Sequence, residues 1–333
     1  MKGAIQRIIS LWRSWVAKPQ FWETVPFAII GLTALLLMVK GCQGIVYHSS
    51  TEYRLRRLGY GIDEARAMAQ SLTAEQADTL LALQCYDDSI YPIVSNRYFI
   101  AKNFKRYLTC HCADSSLAVS DVIAIVNVGA DRGWYSNIEP SDTTDGYYML
   151  INKSHYLGKD YRPSDMVNFD SKCSYRGNQA AKVVVESFVK MQQDCKKLTN
   201  SQLMVNSSYR PAEAQEQIYS TNKEKERTVA RAGYSEHQTG LSIDVTSIEH
   251  PKRWAFDKSE EGIWMRENCY KYGFILRYPK GKERITGYEY EPWHLRYVGI
   301  QTARVIHNEG ITLEEYHAYY IEPHTKPQSK IRH

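Results

Sequence analysis

The sequence predicts a mixed helix-and-strand domain behind an apolar N-terminal helix. Three observations carry this reading. The second half of the chain alternates segments of helical periodicity with short alternating or β-branched segments. The run Val25 to Val39 is apolar apart from Thr33. Two short motifs, Ser235-Glu-His-Gln-Thr-Gly-Leu-Ser-Ile-Asp244 and Glu291-Pro-Trp-His294, concentrate imidazoles and carboxylates of metal-binding type.

At 333 residues, with 43% hydrophobic and 24% charged side chains, the chain can bury one good core and still carry a smaller domain or an anchor. This composition excludes a disordered protein. The net charge of +5 is modest and its basic residues cluster near the N-terminus, so no nucleic-acid-binding face is expected. Tyrosine, at 25 against 8 phenylalanines, favours surfaces that are part apolar and part wet, as a cleft for a polar polymer or peptide would be. Beyond Cys42, Cys85, Cys110, Cys112, Cys173, Cys195 and Cys269 are an even set that permits disulfides if the domain is exported. Cys110 and Cys112 lack the usual metal-ligand spacing.

Taken in order, residues 1–20 carry Lys2, Arg7, Arg13 and Lys18 and no acid. A helix over residues 21–41, rising about 1.5 Å per residue, just crosses a hydrocarbon core of roughly 30 Å. The preceding positive charge would keep the N-terminus in the cytoplasm and place the rest of the chain outside the cell membrane as a single-pass protein. Lys40 argues against a cleavage or lipidation site around Cys42. Residues 42–120 read as a helical juxtamembrane segment, broken at Gly59 and Gly61 and capped again near Ser71 to Glu75. Val122 to Val128 is β-branched and reads as a strand, as does Tyr147 to Lys153, and the catalytic domain is expected over 121–322 with a flexible tail at 323–333.

Within that domain Gln179 to Cys195 shows a helical apolar face, Leu203 to Arg210 reads as a strand, and Pro211 suits the start of a helix reaching about Ala232, with Gly233 as its stop. Arg210 thus sits at a strand-to-helix corner. Leu241, Ile243 and Val245 alternate with Ser242 and Asp244, so Asp244 points away from the core. Gly262 to Tyr272 reads as a helix and Phe274 to Tyr278 as a strand. In the returning strand His294 and Arg296 share one face and Leu295 and Tyr297 the other. Thr312 to Glu315 is a capping box for a last helix. His250, His307 and His317, without a nearby carboxylate in sequence, read as structural.

Two histidines and one aspartate, His237, Asp244 and His294, are three ligands for one Zn²⁺ per chain, leaving a position open for water as in a catalytic site. Glu291 is then placed as general base towards a zinc-bound water, and Arg210 to stabilise an oxyanion or hold a carboxylate. No nucleophilic serine or covalent intermediate is needed. A lone His-Asp pair is most often structural; the second motif is what shifts the reading.

Ser235-x-His237-x-x-Gly240-x-Ser242-x-Asp244, Glu291-x-x-His294 and Tyr209-Arg210 with Gln215 resemble the VanY-type zinc D-alanyl-D-alanine carboxypeptidases, relatives of the D-Ala-D-Ala dipeptidases and of the Hedgehog signalling domain. The likeness runs over roughly residues 145–320. It implies an α+β fold with a small antiparallel sheet flanked by helices, zinc held by His237, Asp244 and His294, Glu291 as base and Arg210 as stabilising cation. It also implies substrate contacts from Gln215 and Ser235, and peptidoglycan stem peptides as substrate, trimmed of terminal D-Ala. Ser242 and Leu295 depart from the family's common alanine and tryptophan without removing a ligand or the base. The alternatives are an endopeptidase or L,D-cleaving peptidase on the same fold, and a non-catalytic wall-binding zinc module.

Overall fold

The computed structural model describes residue 33 and residues 35–41, 47–175 and 177–322. The expected cytoplasmic segment and tail lie outside the described residues, as does most of the expected membrane span at 21–41. Among the described residues no helix is long and apolar enough to cross a membrane.

The chain forms two compact units, divided between Ala101 and Lys102. The described residues of the first unit from 51 onward carry the short helices α1 (Thr51–Leu58), α2 (Ile62–Ser71), α3 (Ala74–Leu81) and α4 (Ile90–Val94). Ser50 caps α1, and Gly59 ends it at a φ of 122° that a side chain would resist. Thr73 and Gln76 form a reciprocal capping box at α3. Each helix buries a few aliphatic residues, Leu55, Met68, Leu80 and Ile93 among them.

The second unit begins with a helical pair, α5 (Phe104–Ala113) and α6 (Val119–Asn127). The expected domain start at 121 falls inside α6. The strand expected at Val122 to Val128 is therefore a helix, and the reason is burial on all sides. Every residue from Val122 to Val126 is buried, and a short, fully buried apolar run shows neither the period of two nor that of 3.6. The strand expected at Tyr147 to Lys153 is also absent. A 3₁₀ turn (Thr143–Tyr148) leads into irregular chain whose Met149 and Ile151 carbonyls accept from Arg296 and Arg277 side chains instead of from a neighbouring strand.

Two small ladders come next, β1 (Glu139–Pro140) parallel to β2 (His155–Tyr156), and β3 (Met166–Asn168) antiparallel to β4 (Gln179–Ala181). Helix α7 (Lys182–Thr199) turns Val184, Phe188, Met191 and Cys195 inward, the face expected from the sequence. It packs against the central sheet, which is antiparallel throughout with order β5-β6-β8-β7: β5 (Leu203–Ser207), β6 (Ser242–Ser247), β8 (His294–Tyr297) and β7 (Phe274–Leu276). Leu241, Ile243, Val245 and Leu295 from this sheet enter the same core. Pairing of β6 with β8 sets Asp244 opposite His294.

Helix α8 spans only Ala212–Ser220. It stops well short of Ala232 because Thr221 and Asn222 turn their side chains back onto the Ile218 carbonyl, at 3.0 and 2.9 Å. Gly233 lies instead in a turn at φ 85°, where a Cβ would meet the Leu157 carbonyl at 2.9 Å. The remaining helices are α9 (Arg253–Phe256), α10 (Glu260–Asn268), α11 (Glu283–Thr286), α12 (Ile300–Glu309) and α13 (Leu313–Tyr316), the last with the expected capping box. Cys85, Cys110, Cys112, Cys173, Cys195 and Cys269 are all free thiols. His250 does have a carboxylate partner, Glu261 at 2.7 Å, reached through the fold; His307 stacks on Tyr270.

Candidate metal centre and active site

His237 sits in a 3₁₀ turn (Glu236–Thr239) that Gly240 closes at φ 71°. A Cβ on Gly240 would lie 2.8 Å from the Met166 sulfur, so both conformation and space require glycine. The turn folds His237 back beside β6. Its Nδ1 bonds the Ser208 carbonyl at 2.7 Å, which fixes that nitrogen as the donor and leaves Nε2 bare, 3.5 Å from Asp244 Oδ1. From the facing strand, His294 brings Nδ1 within 3.0 Å of the same oxygen. Ligand atoms of His237, Asp244 and His294 all lie within 4.8 Å of one another, and all three residues are buried. Two imidazoles and one carboxylate are the donor set of an open zinc site. Arranged around one carboxylate oxygen, and with each imidazole's outer nitrogen facing a protein oxygen, they fit a divalent ion of that kind.

Glu291 lies on the turn into β8, Oε2 3.8 Å from His294 Nδ1. Burial pushes its carboxyl up to about 7, against the opposing pull of His294. Burial alone would push His294 down, but the bond to Asp244 and the nearby Glu236 carboxylate prevail and raise it to about 9. Burial lowers His237, aided by the Arg210 charge. Burial opposes ionisation of Asp244, yet the two histidines hold it well below the usual carboxylate range.

The cleft around these groups, about 180 Å³, is also lined by Arg210, Gln215, Ser235, Arg253, Tyr278, Tyr288 and Trp293. All seven site residues expected from the sequence therefore meet in one place. Arg210 is buried at its Nε, which has no partner, and its guanidinium makes no hydrogen bond to the described residues. Gln215 is only partly available: its Nε2 donates to the Ala230 carbonyl at 2.6 Å, while its buried Oε1 has no partner. Ser235 lines the wall without a side-chain cap bond.

Sequence reasoning missed the support behind the site. Glu236, fully buried, receives Arg277 Nε at 2.7 Å and Arg296 Nη1 at 2.8 Å on one oxygen. Its other oxygen accepts from Ser242 at 3.0 Å and faces His294 Nε2 at 3.7 Å. The hydroxyl at position 242 is thus used by the carboxylate that backs a candidate ligand. Arg277 continues in a two-pronged bond to Glu314 at 2.6 and 2.9 Å. Alternation with His294 was the available signal for Arg296. Nothing local marks Glu236 as buried. Arg253, whose Nη2 bonds Asp244 Oδ2 at 2.8 Å, was missed as well.

A proton held on His294 by Asp244 would compete with an entering metal. Below about pH 9 an entering metal has to displace it, so apparent zinc affinity is expected to rise by about tenfold per pH unit from pH 6 to 9. Competition with a chelator at several pH values measures this, and a flat profile would contradict it.

A family model described as VanY, D-alanyl-D-alanine carboxypeptidase, matches residues 177–300. A putative carboxypeptidase of Bacillus subtilis, YodJ, is 38% identical over 190 residues, covering 54% of this chain and 70% of the relative. The D-alanyl-D-alanine carboxypeptidase of Enterococcus faecium is 35% identical over 188 residues, with 54% and 60% covered. Among solved structures, the LdcB LD-carboxypeptidase superposes with a TM-score of 0.52 at 37% identity, over 55% of this chain and 91% of that one. With the buried two-histidine, one-aspartate centre already in place, these likenesses identify the chain as a metallopeptidase that belongs to the VanY family of D-alanyl-D-alanine carboxypeptidases.

Proposed function

We propose that the chain is a zinc-dependent D,D-carboxypeptidase that removes terminal D-Ala from peptidoglycan stem peptides. The observation that carries this is the convergence of His237, Asp244 and His294 with a buried, unligated Glu291 and an uncommitted Arg210 in one cleft. When bound, zinc polarises a carbonyl and makes a water acidic near neutral pH.

Glu291 takes the proton of the attacking water and delivers it to the leaving amine. Burial raises this carboxyl above the ordinary carboxylate range, which suits a group that both accepts and returns a proton. Arg210 meets the negative charge that develops on the scissile carbonyl oxygen, and its unused N–H groups need not leave a protein partner to do so. Ser235 and the free Oε1 of Gln215 are placed to orient the peptide, while the Ser208 carbonyl and Glu236 keep the two imidazoles from turning. An extracytoplasmic placement, with the N-terminal segment in the membrane, accords with a substrate outside the cell.

Incubating the protein with a stem pentapeptide and identifying products by mass tests this reading. Release of one D-Ala, lost with EDTA and restored by zinc, is the expected result; a pentapeptide left intact would refute it. The likeness to LdcB supports a second reading, L,D-cleavage, in which the tetrapeptide is the better substrate. Running both peptides side by side decides between them.

A further inference from the structure

The two oxygens of Asp244 face different neighbours. Oδ1 points to the imidazoles of His237 and His294. Oδ2 accepts the 2.8 Å bond from Arg253, the first residue of α9. The Arg253 guanidinium lies over the Trp293 ring at 4.7 Å. Its side chain nevertheless remains 50% exposed and lines the cleft. Among the described residues Asp244 is its only hydrogen-bond partner, so the Nε and Nη1 donors are unused. An arginine tied at one nitrogen and held over an indole has lost much of its rotamer freedom before a ligand arrives, which lowers the cost of binding one.

A substrate attacked one residue from its C-terminus presents two negative charges, the terminal carboxylate and the developing oxyanion, about one residue or ~3.8 Å apart along the chain. Two guanidinium groups can take one of these charges each, every one with its own donor edge. The cleft contains two, Arg210 and Arg253, whose mutual repulsion is offset by Asp244 and Glu291. Arg210 has its Nε buried, whereas Arg253 is half-exposed at the rim.

We infer that Arg253 is a specificity-determining residue whose free guanidinium edge receives the substrate's C-terminal carboxylate, leaving Arg210 for the oxyanion. The inference rests on the carboxypeptidase reading and deepens it: a peptide continuing past the cleavage site has no carboxylate there and would cover the guanidinium without pairing it, which disfavours internal cleavage.

The test measures binding without turnover. In zinc-loaded Glu291→Gln protein, calorimetry compares acetyl-L-lysyl-D-alanyl-D-alanine with its C-terminal amide. The free acid is expected to bind about 30-fold more tightly, as a charge-assisted pair at a half-exposed site allows. Adding Arg253→Gln is expected to reduce that ratio to below about threefold with zinc content unchanged, and Arg253→Lys to give an intermediate ratio. A ratio that survives Arg253→Gln overturns the inference, as does no preference for the acid in the parent. Loss of zinc from the Arg253→Gln protein also overturns it, because Arg253 would then be only a prop for Asp244. A parent that shows the ratio and its loss, while the wild-type protein releases no D-Ala from a pentapeptide, would refute the carboxypeptidase reading and leave carboxylate recognition by Arg253 standing.

Discussion

Glu291→Gln is expected to lower kcat for D-Ala release about 10³-fold while zinc stays bound. The substitution preserves shape and removes only the proton acceptor. Glu291 lies outside the three-residue ligand cluster, so zinc is expected to stay bound without it. Burial, the largest influence on the carboxyl, raises it to about 7, a direction that suits a group proposed to accept and return a proton. Turnover together with zinc content by metal analysis checks both halves. A loss smaller than tenfold, or loss of zinc, would remove Glu291 from the role of base.

The second large effect is on stability. Arg277→Met is expected to destabilise the peptidase unit by about 3–5 kcal/mol, because it takes away the cation shared by two buried carboxylates, leaving Glu314 without an ion-pair partner among the described residues and Glu236 with Arg296 alone. Arg277 is fully buried, with Glu236 at 2.7 Å on one side and Glu314 at 2.6 Å on the other. Burial would raise Glu236, but Arg277 and then Arg296 hold it far below the ordinary range. A carboxyl depressed on folding contributes stability above its unfolded pKa and loses it as pH falls, so the wild-type unit should weaken in acid more steeply than the variant. Urea unfolding at neutral and acid pH measures both. A midpoint unchanged by the substitution would show that the network adds nothing. Because Glu236 also faces His294, some loss of zinc affinity is expected to accompany the destabilisation.

The convergence of the candidate site residues was legible in the sequence because short-range geometry places them. Alternation over Leu241 to Val245 sends Asp244 to the cleft, and the same rule sends His294 there. Glycine at 240 marks the turn that returns His237 to Asp244. What sequence periodicity could not supply was any feature set by distant chain. Glu236 looks like a surface charge until Arg277 and Arg296 arrive from two other strand regions, and Arg253 reaches Asp244 from a four-residue helix with no periodic signature. The helix α6 was unreadable for a different reason: Val122 to Val126 are apolar without interruption, and only their surroundings decide between helix and strand.

Asp244 and His294 are fifty positions apart and meet only through the β6–β8 pairing. A slip of one residue would turn Asp244 into the core and Ile243 into the cleft, and the donor set would not exist. Zinc capture during refolding is therefore expected to follow the closing of the long loop between β6 and β8. A chain collapsed with its strands misaligned would lack the donor set, so zinc uptake is expected to separate correctly knitted molecules from compact impostors that burial alone would not distinguish.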